Sequence, residues 1–379
     1  MFLKNIHIKN YRSLKDSQIS FKEGLNIVIG KNGAGKSNLL GFILNSCRYE
    51  TFFNFLLGKK FFDLFDTTIQ VSDGNEIVTE FKILQQTNST HSPASIDTEV
   101  KISEIVDGQK KLVYEQVLKT GANWNTFEKY RDFIKQFQTL LISFVNFTIP
   151  DSIRWFNLEG KLDCTESGII VNEYYEATFR FLHEFLFSIK EVEFGNSFKL
   201  TASFQDFVSS NQLNEHLARL TPIDEIRLNE HMRFSQTEDQ IIVDNLFIEF
   251  KLGKNWVPWS HLSDGTKRLF FIISECISNE HGLLLIEEPE LGIHPHQLHL
   301  LMQFLKEQSA YKQIIISTHS PQVLNVLNSD ELDRINIATI GEKGTKFQPL
   351  SADKIALAKK YMQELELSDY WLHSDLEEA

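Results

Sequence analysis

An apolar stretch, Ile27-Val28-Ile29, runs straight into Gly30-Lys31-Asn32-Gly33-Ala34-Gly35-Lys36-Ser37-Asn38, and Leu39-Leu40 and Phe42-Ile43-Leu44 follow. This is G-x-x-x-x-G-K-S between a strand pattern and a helix pattern, the context in which that spacing acquires a mechanism. The glycines let backbone N–H groups close around phosphate oxygens. The start of the helix adds positive potential at the same place. Lys36 is expected to reach the outer phosphates, and Ser37 to hold Mg²⁺. A chain that opens this way is expected to build an α/β core around that loop.

The 379 residues suit one large domain with an insertion, or two domains. Hydrophobic residues make up 42%, with 31 Phe, which is enough to fill a core. No apolar run is long enough to span a bilayer, and the opening Met1–Ile8 alternates like a strand rather than a secretion signal. A cytoplasmic protein without membrane contact is expected. Cys47, Cys164 and Cys276 are odd in number and lack C-x-x-C spacing, so they read as buried free thiols. The net charge of −13, from 38 Lys and Arg against 51 Asp and Glu, argues against a surface coated for nucleic acid. A local basic face for DNA stays open.

Residues 2–29 read as three strands, with Glu23-Gly24 as a tight turn. Between Thr67 and Lys119 the apolar period is two, which predicts antiparallel strands at 68–71, 76–84, 98–105 and 111–118. The polar stretch Gln86–Ser95 reads as a loop. Residues 125–220 carry helical spacing, at 127–141, 174–187 and 204–220. A hairpin is expected near 240–254, and a closing helix over 352–365 with a packed end at 367–371.

Three further motifs follow. Leu262-Ser263-Asp264-Gly265 precedes a helical apolar run, and a Ser-x-Gly turn at a helix start offers a hydroxyl and N–H groups to an anion. Leu283-Leu284-Leu285-Ile286 is a buried-strand pattern ending in Glu287-Glu288-Pro289-Glu290. Carboxylates at such an edge suit Mg²⁺ and an attacking water. Gln313–Ser317 is another buried strand, ending in Thr318-His319. The gaps of about 25 and about 30 residues between the motifs each leave room for one helix, as parallel strands require.

This set resembles the ATP-binding cassette ATPases, specifically the soluble branch of the SMC, RecF and OLD (overcoming lysogenization defect) proteins. Ile8–Leu14 is similar to that branch's first strand. Gly30–Ser37 matches its Walker A, Leu262–Gly265 its signature, Leu284–Pro289 its Walker B, Leu291–Pro295 its D-loop and Ser317–Pro321 its H-loop. Glu287 stands where most of the family has Asp, and Thr266 where transporters have Gln. The resemblance implies an α/β head with a mixed, mostly parallel core sheet and an antiparallel β side lobe. That head would occupy 1–124 and 241–379, with a mainly helical insert at 125–240.

The resemblance further implies a homodimer or higher oligomer closing around ATP and Mg²⁺. Gly30 through Asn38 would cradle the phosphates, and Ser37 and Glu287 would hold the metal. Lys36 and Glu288 would act on the γ-phosphate and the water. His319 would sense that phosphate, and Ser263 and Gly265 would meet it from the other subunit. A sensor or regulatory subunit for a separately encoded nuclease or toxin, in defence against phage, is the leading expectation. A DNA-binding repair or chromosome ATPase, and an ATP-bound scaffold without turnover, are the alternatives. OLD nucleases carry a Toprim domain after the ATPase, whereas about 60 residues follow His319 here, without a D-x-D strand. The chain alone is therefore expected to leave plasmid DNA intact with ATP and Mg²⁺ or Mn²⁺. Cleavage abolished by replacing a carboxylate outside 287–290 would overturn that.

Overall fold

The computed structural model describes residues 2–47, 66–73, 75–89, 92–106, 109–118, 139–142, 163–165, 168–170, 197–230, 233–236, 241–244, 248–277 and 282–373. In chain order the first elements are β1 (Phe2–Tyr11), β2 (Leu14–Ser20), β3 (Leu25–Ile29) and helix α1 (Lys36–Cys47). Next come β4 (Asp66–Asp73), β5 (Asn75–Ser89), β6 (Ser92–Val106), β7 (Gln109–Leu118) and β8 (Thr139–Ile142). Two short strands follow, β9 (Asp163–Thr165) and β10 (Gly168–Ile170), then α2 (Ser197–Ser210) and α3 (Leu213–Leu220). Strands β11 (Glu225–Leu228), β12 (Arg233–Gln236), β13 (Ile241–Asp244), β14 (Ile248–Leu252) and β15 (Asn255–Pro258) lead to α4 (Asp264–Ile277). The chain ends in β16 (Leu283–Glu287), α5 (Pro295–Gln308), β17 (Gln313–Thr318), β18 (Ile335–Gly341), β19 (Gly344–Pro349), α6 (Ala352–Tyr361) and α7 (Leu367–His373).

The chain forms two compact units. The first holds 1–142, 280–290 and 302–379 and contains two six-stranded sheets. One has the order β19-β18-β3-β17-β16-β8, with every neighbouring pair parallel except β18–β19. Every residue of β3 and β17 is buried, as are the first four of β16. Strands covered on both faces need such unbroken apolar runs. The other sheet, β2-β1-β4-β5-β6-β7, is antiparallel throughout.

Three buried amides bind the first hairpin to the parallel sheet. Gln313 accepts from the Leu3 N–H at 2.8 Å and donates to the Leu3 and Lys22 carbonyls at 2.9 and 3.0 Å. Asn26 closes the turn before β3 by donating to the Lys22 and Gly24 carbonyls and accepting from the Lys22 N–H. Asn336 donates to the Ser20 carbonyl. Each bond adds about 1 kcal/mol net, and losing a partner leaves a buried backbone group unsatisfied.

The second unit holds 143–279 and 291–301. Its three-stranded sheet β11-β14-β15 is antiparallel. Phe250, Trp259 and Phe270 meet there at centroid distances of 5.1 to 5.8 Å. Helix α3 buries Leu213, Leu217 and Leu220. Strands β12 and β13 pair as a hairpin, as do β9 and β10.

The expected mixed core sheet, the antiparallel lobe and the opening three strands are all present. Three local expectations are corrected. The hairpin expected near 240–254 does not form among the described residues, because β13 pairs with β12 while β14 pairs with β11 and β15. Gln86–Ser95 is not a plain loop: β5 runs to Ser89 and β6 begins at Ser92, with Gln86 facing Ile96 and Thr87 facing Ser95. Ladder hydrogen bonds come from the backbone, so polar side chains do not end a strand. Thr139–Ile142 is not helical but an edge strand, paired parallel to β16 through Leu140–Leu284 and Leu141–Leu285. The helical spacings at 127–137 and 174–187 lie outside the described residues. Cys276 is buried. Among the described residues no helix is long and apolar enough to cross a membrane.

Candidate active site

Strand β3 delivers the glycine loop to the edge of the parallel sheet, where the Gly30 N–H donates to the Thr318 carbonyl of β17 at 3.3 Å. Gly30 has no room for a side chain: a Cβ there would overlap the Ala338 carbonyl oxygen. Gly33 and Gly35 have φ of +79° and +93°. A Cβ on Gly35 would also overlap the Thr345 hydroxyl and stand 2.8 Å from Ser13 Oγ. The loop thus follows a path that only glycine permits at these points. Gly30→Ala is expected to cost about 1–3 kcal/mol, since its neighbour is backbone and cannot rotate away. Thermal unfolding checks this, and an unchanged melting temperature would contradict it.

Lys36 opens α1 and is buried, at 5% exposure. Its amine donates to the Gly30 carbonyl at 2.6 Å and to the Lys31 carbonyl at 3.1 Å. Asn38, one turn into the helix, donates to Ser13 Oγ at 2.9 Å and accepts from Arg12 at 3.3 Å. Arg12, with φ of +48°, lies over the Tyr11 ring, and Tyr11 packs edge-on against Phe42 of α1. The turn after β1 therefore stands beside the loop, a placement that spacing alone did not reveal.

Glu287 ends β16 opposite Ser317, whose buried hydroxyl has no hydrogen-bond partner. Glu288 takes a left-handed conformation, φ +47°, and its N–H donates to the Ser317 carbonyl at 2.8 Å. That turn directs its carboxylate to His319, with Nδ1 to Oε1 at 3.3 Å. A non-glycine residue in this region costs about 1 kcal/mol or more and is found where surrounding structure enforces it. Glu290 also reaches the end of β17. Its Oε1 accepts from the Thr318 hydroxyl at 2.6 Å and the His319 N–H at 3.2 Å, and lies 3.3 Å from His319 Nδ1. Glu290 and Thr318 were not singled out from sequence. Their signal, a third acid after Pro289 and a Thr before the His, gains meaning only once β16 and β17 are neighbours.

The first unit thus gathers Gly30–Asn38, Glu287, Glu288 and His319 on the ends of three adjacent parallel strands. Ser263 and Gly265 belong to the second unit. There Ser263 Oγ accepts from the Thr266 N–H at 3.2 Å and lies 2.8 Å from the Thr266 hydroxyl, capping α4. A Cβ on Gly265 would stand 2.7 Å from the Gly292 carbonyl oxygen, so the turn at 263–265 and the loop at 291–295 touch through backbone. Arg268 donates to the Leu291 carbonyl beside it. Burial pulls the Arg268 guanidinium below its ordinary range, with Asp264 opposing the shift.

The residues fit a nucleotide and a metal. A glycine-lined loop, a buried amine already bonded to oxygen acceptors and a helix N-terminus suit a polyphosphate. Ser37 and Glu287 offer the hard oxygen donors that Mg²⁺ prefers.

Residues 25–325 match the family described as "AAA domain, putative AbiEii toxin, Type IV TA system". The chain is 23% identical over 365 residues to an "ATP/GTP phosphatase" of Helicobacter pylori, covering 86% of this chain and 87% of that one. It is 21% identical over 359 residues to "Endonuclease GajA" of Bacillus cereus, covering 89% of this chain and 58% of GajA. It is 38% identical over 148 residues to the "DNA replication and repair protein RecF" of Leptospira biflexa, covering 38% of this chain and 33% of RecF.

Proposed function

Because the chain belongs to this AAA-domain family and is an ABC-type ATPase of the OLD, RecF and SMC kind, we propose that it closes on itself around ATP and controls a separate effector. The observation that carries the ATPase half is the convergence of Lys36, Glu288 and His319 on neighbouring strand ends β3, β16 and β17. Lys36 exchanges the Gly30 and Lys31 carbonyls for charged phosphate oxygens, a stronger pairing. The N–H groups of Lys31 through Ser37 line the phosphate chain, with Asn38 holding the helix start against Ser13. Ser37 and Glu287 would hold Mg²⁺, which would supply neutralisation of the phosphate charge. Glu288 orients the attacking water, and His319 meets the γ-phosphate. Ser263 and the backbone at Gly265 meet it from a second copy.

Binding supplies the free energy of closure, and hydrolysis removes it. The family description names a toxin, and a similar protein is named an endonuclease, so nuclease or toxin chemistry is the class of effector proposed here, carried by a separate partner in defence against phage. The helical part of 125–240 is the proposed contact surface for it, in a cytoplasmic complex. A second reading, direct DNA binding, is favoured by the RecF likeness and opposed by the net charge of −13.

Two measurements test the proposal. Purified chain should release phosphate from ATP with Mg²⁺. The product of the adjacent reading frame should co-purify with it in an ATP-dependent manner. No complex in any nucleotide state would sink the effector reading while leaving the ATPase reading standing.

A further inference from the structure

Glu290 has a peculiar balance of partners. One carboxylate oxygen accepts from the Thr318 hydroxyl and the His319 N–H, and His319 Nδ1 lies 3.3 Å from it. The other, Oε2, is buried without a partner. Its side chain is 9% exposed, against 30% for Glu288. A buried acceptor is the stronger electrostatic partner, because water competes less for the donor. An ionised carboxylate only accepts, so the tautomer it favours carries the hydrogen on the ring nitrogen facing it. That nitrogen is Nδ1, which leaves Nε2 on the far side of the ring.

We infer that Glu290 is a positioning residue for ATP hydrolysis: it clamps the end of β17 and fixes His319 with hydrogen on Nδ1, so that Nε2 is the atom offered to the nucleotide and Glu288 is not required to hold the ring. This rests on the ATPase reading above. The arrangement explains why the bonding is lopsided. Oε1 accepts two hydrogen bonds from one short segment, Thr318-His319, and lies 3.3 Å from the ring nitrogen of the same His319, so strand end and ring meet at one point. Glu288, more exposed and only one of two acceptors for Nδ1, keeps the freedom to turn to water. Both carboxylates come from the same turn after β16, and Pro289 between them narrows the backbone freedom of that turn. A carboxylate that orients a histidine through one ring nitrogen acts through that residue, and losing such support at metal-binding histidines, taken here as the scale, costs on the order of ten- to a hundredfold.

The test compares wild type, Glu290→Gln and Glu290→Leu. Glu290→Leu keeps the bulk but offers no acceptor, and kcat should fall by roughly ten- to a hundredfold with KM within about twofold. Glu290→Gln keeps an oxygen for the Thr318 and His319 donors and should recover most of that loss. Melting temperatures identify a variant that has merely unfolded. Nitrogen-15 spectra of the imidazoles, with His319 assigned by its disappearance in His319→Gln, should show hydrogen on Nδ1 in wild type. In Glu290→Leu they should show a mixture of tautomers. The inference fails if kcat is unchanged in Glu290→Leu, if Gln and Leu variants fall alike, or if wild-type His319 carries its hydrogen on Nε2. If wild type releases no phosphate, the ATPase reading fails by itself. The ring spectrum needs no ATP and still decides the role of Glu290.

Discussion

Lys36→Ala is expected to cut phosphate release by about 10²–10³-fold, the scale for losing one preorganised charged donor from a phosphate site. ATP affinity should weaken as well, because the contact exists in ground and transition states alike. The residue's surroundings account for the size of the loss. Its amine is buried and held by two loop carbonyls, so the positive charge is already desolvated and aimed before any phosphate arrives. Removing it loses both the charge and the strap across the loop. A folded variant is still expected, because Gly30 keeps its bond to the Thr318 carbonyl and Asn38 its bond to Ser13. Circular dichroism and melting should therefore stay close to wild type while turnover collapses. Equal turnover in preparations free of contaminating ATPase would refute the assignment.

Legibility from sequence followed the kind of signal each element carries. The buried runs Leu25–Ile29, Leu283–Ile286 and Gln313–Thr318 were legible because both-sided burial writes an unbroken apolar string with polar chemistry at its end. The glycine loop was legible because its residue types are forced: Gly30 abuts the Ala338 carbonyl, and Gly35 has a positive φ. Thr139–Ile142 was not. Four residues at a sheet edge are too few to show a period, and their neighbours happen to fit a helical one. The polar ends of β5 and β6 are illegible for a different reason. Their pairing is held by backbone, which composition does not report. Glu290 was hidden because three acids in one short turn look equivalent in sequence. Only the neighbouring strand end separates them, with Glu288 directed to His319 alone and Glu290 also bonded to Thr318 and the His319 backbone.

Glu288→Gln should trap the closed assembly. The amide keeps the shape of the side chain but loses the charge that orients water, so hydrolysis slows by about 10²-fold or more. ATP still binds, because Lys36, Ser37 and the loop N–H groups are untouched. In the proposed cycle, closure is stabilised by whatever ATP contributes to the two-copy state over the open one, and hydrolysis is the step that withdraws it. With that exit blocked, the population moves toward the closed form. Ser263→Arg should undo the trap by placing a bulky cation where the second copy's γ-phosphate must dock. That substitution also removes the cap on α4, worth about 0.5–2 kcal/mol, so melting must be followed alongside. Light-scattering mass with and without ATP compares wild type, Glu288→Gln and the double variant. Cysteine cross-linking between residues near Lys36 and near Ser263 reports the seam even if the mass is constant. ATP-dependent mass or cross-linking in Glu288→Gln, reversed by Ser263→Arg, is the expected result. If neither depends on ATP in Glu288→Gln, the nucleotide does not glue two copies together, and a scaffold that binds ATP without closing on it becomes the better account of Lys36 and its loop.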